Sequence, residues 1–424
     1  MIKFLLKGLL RDKSRSRMPV LVVTIGVALT VLMHAYITGF MGDLIELNAR
    51  FSYGHLKVTT RGYADNIQQM PNDLALLNVN SLTADLKKQF TGLEWSPRIQ
   101  FGGLVDVPDT NGETRSQGPA AGIGLDLLTP GSKEIKRLKL EKSLVRGHLP
   151  GKQGEVLLSE AFSRKLSVDP GGKITFIGST AAGSMTIYNF TLAGTVSMGH
   201  EALDRGTIIA DIEDVRLALD MDDAASEILG FFNGGFYIDD TAVSDAQIFN
   251  SANGPKSDDF TPVMKSLSQQ GAMGTYVNLT KSWSKYISLI FILAMSLVLW
   301  NAGLLGGLRR YGEVGIRLAM GENKDHVYRT MIYESMMIGI AGSVIGTAFG
   351  LLFAWLIQKY GIDISGLMKG SSIMMPTEIK ARISPLDFYL GFFPGLFSTM
   401  IGTLLSGIGI YKRQTARLFK ELEV

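Results

Sequence analysis

Four stretches of this chain contain no Asp, Glu, Lys or Arg: Met18–Gly42, Tyr286–Leu308, Ser335–Gln358 and Phe388–Tyr411, of 25, 23, 24 and 24 residues. A helix rises about 1.5 Å per residue, so each reaches roughly 35 Å, enough to cross a hydrocarbon core of about 30 Å with some tilt. A surface helix of a soluble protein shows charges on its solvent face, so a purely soluble enzyme is excluded. A cleaved signal peptide does not explain the first stretch. It is too long, and it has Gly39-Phe40-Met41-Gly42 where a small-residue cleavage site is needed. The chain therefore reads as a membrane protein: four transmembrane α-helices, with a large α+β extracytoplasmic domain inserted between the first and the second.

The charges outside those stretches give an orientation. Residues 1–17, 309–334 and 412–424 together hold 15 basic and 7 acidic side chains, a net of +8. The insert 43–285 holds 23 basic and 29 acidic, and the short loop 359–387 is near neutral. Basic loops stay in the cytoplasm, which places both termini and loop 309–334 inside, and 43–285 and 359–387 outside. Within residues 1–17, the run from Ile2 to Leu10 alternates lysines with apolar residues, as expected of an amphipathic helix lying on the inner leaflet.

The insert carries the signals of a folded domain. Glu155–Ser159 reads as a strand running into a helix that ends near Leu166, with Ser159 placed to cap it. Asp169-Pro170-Gly171-Gly172 reads as a turn before a strand at Lys173–Ile177, and Thr191–Val196 and Gly206–Ala210 as further strands before a helix at Ile212–Leu219. Asp109–Gly122 and Asn250–Asp259 have loop composition and are expected to be mobile.

The motifs of catalysis are missing. Gly171-Gly172-Lys173-Ile174 is the nearest approach to a phosphate-binding loop, yet Ser167 stands where the first glycine belongs and no hydroxyl follows the lysine. The five histidines show no metal-ligand spacing, and there is no cysteine. The acidic pairs at 222–223, 239–240 and 258–259 lie in polar surroundings and read as solvated surface. This chain is expected to be no enzyme, to hold no metal or cofactor of its own, and to bind no nucleic acid.

Within the spans the one ionisable group is His34, which argues against a proton or cation pathway. His34 and Asn301 read as polar contacts between helices. Gly342, Gly346 and Gly350 form two overlapping G-x-x-x-G units, a packing signal. Met33, Ile37, Phe40 and Leu44 share a face near the outer end of the first span. With Ile290 of the second span they are the residues that a cavity for acyl chains would use.

The segment Arg310-Tyr-Gly-Glu-Val-Gly-Ile-Arg-Leu-Ala-Met-Gly321 resembles the signature of the FtsX/MacB-type ABC transporter permeases, E-[IV]-G-[IV]-x-x-A-[LM]-G, followed there by a short helix and a glutamate opening the third span. Glu313, Gly315, Ile316, Ala319, Met320, Gly321 and Glu334 match it, with Arg317 and His326 beside them. The run from Gly147 to Thr175 resembles that family's periplasmic core domain, and Gly54-His-Leu-Lys-Val58 resembles the lipoprotein-releasing, LolC/LolE-like branch. The tail departs from that pattern, no nucleotide-binding domain is fused, and no chaperone-binding hook is identifiable.

The resemblance implies a non-catalytic subunit of a mechanotransmitting (type VII) exporter in a bacterial inner membrane. Its expected partners are two copies of a separate ABC ATPase, which would hold the ATP and Mg, a second permease copy or a paralogue, membrane lipid, and a periplasmic lipoprotein chaperone or adaptor. The implied task is extraction of lipoprotein or another amphiphile from the outer leaflet. An FtsX-like regulator of cell-wall hydrolases and an efflux permease for peptides or antibiotics are the alternatives. Residues 310–328 are expected to seat on the ATPase, with Glu313 and Arg317 spaced to pair with each other or across that interface.

Overall fold

The computed structural model describes residues 13–109, 111–197, 204–253, 258–308, 310–364 and 378–412. The expected amphipathic segment before Lys13 and the tail beyond Lys412 lie outside them. Two compact units emerge: a helical unit of Met1–Asp43, Leu279–Ser365 and Thr377–Val424, and a sheet unit of Leu44–Asn278 and Gly366–Pro376. In chain order the helices used below are α1 (Lys13–Asn48), α2 (Val79–Gln89), α3 (Glu160–Leu166), α4 (Ile212–Leu219), α5 (Asp239–Asn253), α6 (Met273–Leu308), α7 (Tyr311–Ala319), α8 (Lys324–Tyr360) and α9 (Phe392–Lys412).

Among the described residues, four helices are long and apolar enough to cross a membrane, in the regions of α1, α6, α8 and α9. They overrun the charge-free stretches, because a helix continues until a capping signal rather than until its first charge. Thus α8 starts at Lys324, where the Asn323 side chain accepts the Asp325 N–H, and ends at Gly361 with φ +67°. Glu334, expected to open the third span, lies inside α8. A short turn at Asp387–Leu390 precedes α9.

Small residues hold the helical unit together. A Cβ on Gly342, Gly346 or Gly350 of α8 would meet the side chains of Val23, Val27 or Val31 of α1 at 2.7–2.8 Å, so the two helices cross in near backbone contact. Gly391 and Gly395 press onto Val27 in the same way. His34 of α1 also finds a partner that the sequence reading did not offer. Its Nδ1 lies 2.6 Å from Asp387 Oδ1, and the other carboxylate oxygen accepts the Ser384 N–H at 2.6 Å and hydroxyl at 2.9 Å. Asp387 is fully buried. A carboxylate assigned to the outer loop is thus part of the helix packing.

In the sheet unit the strands are β1 (Leu56–Thr60), β2 (Leu93–Pro108), β3 (Thr114–Leu125), β4 (Leu144–Gly147), β5 (Glu155–Ser159), β6 (Lys173–Ser179), β7 (Met185–Val196), β8 (Thr207–Asp211), β9 (Glu227–Phe232) and β10 (Pro262–Ser266). The first half of β2 joins β9, β1 and β10 in an antiparallel sheet. Its second half enters a ring in which β2, β3, β8, β5, β7 and β6 pair in turn and β6 returns to β2. Buried Phe101, Val105, Phe162, Phe176 and Leu192 belong to one core cluster that runs through both parts.

Several local expectations change. Asp109–Gly122 is not a loop: from Thr114 it is strand β3, paired with β2. Its glycines are there for packing, since a Cβ on Gly122 would sit 2.1 Å from the Phe101 ring and one on Gly118 2.9 Å from Phe162. The first residues of Asn250–Asp259 complete α5, and 254–257 lie outside the described residues. Ser159 precedes α3 as expected, but its hydroxyl donates to the Asp204 carbonyl instead of capping the helix. The acidic pairs are not all free surface: Asp239 accepts the Tyr237 and Ser268 hydroxyls, and Asp223 accepts the Asn80 N–H.

The Gly54-His55 motif is also structural. Buried His55 receives the Phe232 N–H on Nδ1 at 2.9 Å, so its proton sits on Nε2 and is donated to Glu46 at 2.7 Å. Arg98, 1% exposed, is held between Glu134 at 2.7 Å and the Phe51 carbonyl at 2.9 Å.

Candidate coupling site

Helix α7 is nine residues long and amphipathic. Tyr311 and Val314 are buried against Val327 and Met331 of α8, with Leu318 packed beside them. The Tyr311 hydroxyl donates to the Ser406 carbonyl of α9, which ties the start of α7 to the fourth span. Arg310, just before α7, forms an ion pair with Glu334 of α8. At the other end Gly321 has φ +91°, a conformation that costs glycine little and other residues more. Amides after the helix are satisfied by its last carbonyls, Met320 N–H by Ile316 and Gly321 N–H by Leu318.

The chain reversal beyond Gly321 brings Glu322 back onto Arg317, whose guanidinium forks onto both carboxylate oxygens at 2.6 Å. That hydrogen-bonded cation holds the Glu322 carboxyl below its ordinary range. Arg317, spaced to meet Glu313 along the helix, thus forks onto an acid beyond the helix end, which i,i+4 spacing does not reveal. His326, in the first turn of α8, lies 3.6 Å from the same Glu322.

What remains on the outer side is apolar. Ile316 is 46% exposed and Met320 75% exposed. Two neighbouring apolar side chains on a helix whose other face is anchored by packing, a hydroxyl bond and an ion pair form a docking surface by composition. Gly315 belongs to the buried face, and Ala319 ends the helix.

The structure therefore gathers Glu313, Gly315, Ile316, Arg317, Ala319, Met320 and Gly321 on one short element, places His326 next to it through Glu322, and puts Glu334 behind it on Arg310. Of the residues suggested for acyl chains, Met33, Ile37, Phe40 and Leu44 lie along α1 and Ile290 on α6. Ile37 is buried at 6%, Met33 and Phe40 are half-buried, Ile290 is 66% exposed, and Leu44 belongs to the sheet unit. Sequence reasoning missed Arg310, Tyr311, Glu322 and Tyr328, the last bonded through its hydroxyl to the Leu404 carbonyl. All four lie inside the segment 310–328 expected to seat on the ATPase, but no spacing rule singled them out there.

Residues 286–415, which contain α7 and three of the long apolar helices, match the family described as FtsX-like permease C-terminal. Residues 286–415 form an FtsX-like permease domain. Curated relatives include the lipoprotein-releasing system transmembrane protein LolC of Xylella fastidiosa, 24% identical over 52% of this chain and 52% of that protein. They also include the macrolide export ATP-binding/permease protein MacB of Bradyrhizobium diazoefficiens, 26% identical over 26% of this chain and 16% of that one. The chain thus spans about half the length of the LolC relative and less of MacB. Among solved structures, the periplasmic region of MacB from Actinobacillus actinomycetemcomitans shares 15% identity over 53% of this chain and 92% of that one, at a TM-score of 0.35.

Proposed function

We propose that this chain is the membrane subunit of an ABC exporter and that α7 of its FtsX-like domain is the seat of a separate ATPase subunit. The observation that carries the proposal is the pair of outward apolar side chains, Ile316 and Met320, on a helix fixed to α8 and α9 from behind. Force applied to that helix passes into two spans through packed side chains rather than through a loose loop. ATP and Mg belong to the partner. Two permease chains, identical or paralogous, complete the assembly in the inner membrane, with termini inside and the sheet unit outside.

For the cargo we favour lipoprotein or another amphiphile drawn from the outer leaflet. The LolC similarity covers 52% of the chain against 26% for MacB, and a hydrophobic cargo needs no charged path through the spans. Co-purification tests the coupling. The double variant Ile316→Asp/Met320→Asp is expected to lose the tagged ATPase while still inserting in the membrane, and undiminished capture would overturn the proposal. ATP-dependent release of an acylated protein from proteoliposomes tests the cargo, and macrolide efflux without such release would assign the chain to the MacB task.

A further inference from the structure

The helical unit contains a pocket of about 410 Å³ where α1, α6, α8 and α9 approach α7. It lies at the end of the spans that carries Arg310 and Glu313, opposite the end that carries Asp387. Its size falls within the roughly 300–1,000 Å³ of ordinary ligand sites. Three properties of its walls say what it holds.

First, the walls come almost wholly from charge-free sequence, with Arg310 and Glu313 the only ionisable side chains among them. Second, the hydroxyls in the walls are already used. Thr399 donates to the Gly395 carbonyl at 2.8 Å, Ser335 to Ile332 at 3.0 Å, and Thr403 faces the Gly303 carbonyl at 3.5 Å. An occupant of the deep part therefore meets no hydroxyl proton in search of an acceptor, which suits hydrocarbon and leaves a polar solute poorly bound. Third, one glycine in the wall is not a packing glycine. A Cβ on Gly303 would strike the Thr399 carbonyl at 2.5 Å and one on Gly307 the Ser406 hydroxyl at 1.8 Å, whereas one on Gly306 meets nothing within 4 Å. The α6 surface at Gly306 borders empty space.

The rim is open to the side, where Met18 is 67% and Leu305 54% exposed. In a membrane, that side faces acyl chains, and an apolar hollow open to them is filled by them. We infer that this pocket binds one acyl chain of an inner-leaflet phospholipid, its headgroup held at the level of Arg310. Arg310 marks the level of the headgroup without attracting it, since the guanidinium is already paired with Glu334 and Glu313 lines the same pocket, so the binding is that of the acyl chain. The inference rests on the orientation given under the proposed function, which puts this end of the spans in the cytoplasmic leaflet. The ligand is accordingly a resident lipid and not the cargo. Because the pocket wall includes Glu313 of α7, the bound chain wedges the coupling helix against four spans.

The test uses the full-length permease without its ATPase, in nanodiscs containing phosphatidylglycerol with a diazirine on the acyl chain. Illumination followed by peptide mapping is expected to label the peptides that contain Met18–Val23 and Leu305–Gly307 above the lipid-facing residue Leu293. Gly306→Phe, whose ring enters the empty space, is expected to reduce that labelling about tenfold, the effect of roughly 1.4 kcal/mol of lost binding. Gly306→Ala is expected to leave it unchanged and reports that the fold tolerates substitution there. Labelling equal to that at Leu293, labelling unaffected by Gly306→Phe, or a protein–protein cross-link from a second copy in place of lipid would each overturn the inference. The readout needs no ATPase, so loss of labelling with intact ATPase capture removes the lipid site alone, and the reverse removes the coupling proposal alone.

Discussion

Each glycine of the α8 stripe is defined by what stands opposite it. On Gly346 a side chain would meet the Thr24 carbonyl at 2.6 Å and Val27 at 2.8 Å, and a backbone carbonyl cannot swing away. Gly346→Leu is expected to cost about 1–3 kcal/mol, the usual penalty of overpacking, read as a lower thermal midpoint in detergent. Gly306→Ala in the same assay should change nothing. The G-x-x-x-G spacing made this stripe legible in the sequence, but its partner was not, because a valine row looks the same whether it faces lipid or glycine. A second residue-level expectation concerns Glu134. Burial by itself would raise its carboxyl, but Arg98 and Arg137 outweigh it and hold the group below the ordinary carboxylate range. A depressed folded value means stability that is present above the unfolded value and lost as pH falls through the folded one. Glu134→Gln is therefore expected to destabilise the sheet unit by about 3–5 kcal/mol at neutral pH, since Arg98 is left buried without its counter-charge. Acid titration followed by circular dichroism of the full chain should show the wild type converging on the variant as pH falls through the depressed folded value of Glu134.

At the scale of elements, α7 was legible as a signature and illegible as a geometry. Its buried face, its apolar outer pair and its glycine stop all follow from the eleven residues Tyr311–Gly321. The Arg317–Glu322 fork does not, because it spans the point where the helix ends and the sequence spacing stops measuring distance. Arg317→Glu is expected to loosen that turn and weaken ATPase capture, and the exchange Arg317→Glu/Glu322→Arg to restore it; capture unaffected by the single change would remove the fork from the docking surface. Strand β3 was read as a loop from its Gly, Ser, Thr and Pro content. What makes it a strand is the Phe101 ring occupying the place of a side chain at Gly122, a long-range fact that composition does not carry. Gly122→Val should force that ring out and lower the melting temperature of the sheet unit, by an amount that about 1–3 kcal/mol of overpacking implies.

For the whole molecule, charge-free length is a local property, so the long apolar helices and the inserted α+β unit could be read directly. Helix limits, the His34–Asp387 contact and the closing β6–β2 pairing depend on residues far apart in sequence and could not. The proposed orientation has a direct check because the chain has no cysteine. Single cysteines at Lys165 and Lys324 in intact inner-membrane vesicles and spheroplasts should react with an impermeant maleimide from opposite sides, Lys165→Cys in spheroplasts and Lys324→Cys in inverted vesicles. The exchanged pattern would reverse the topology, and reaction of both from one side would overturn it.

The hoop of strands in the sheet unit has a mechanical corollary. An open sheet yields to a pull at its rim one hydrogen bond at a time, like a zip. Where β2, β3, β8, β5, β7 and β6 close on themselves, these strands have neighbours on both flanks, so a tug on any of them must shear two ladders together. Such a hoop moves under load as one piece and regains its shape on release, which is what the proposed exporter role would ask of it.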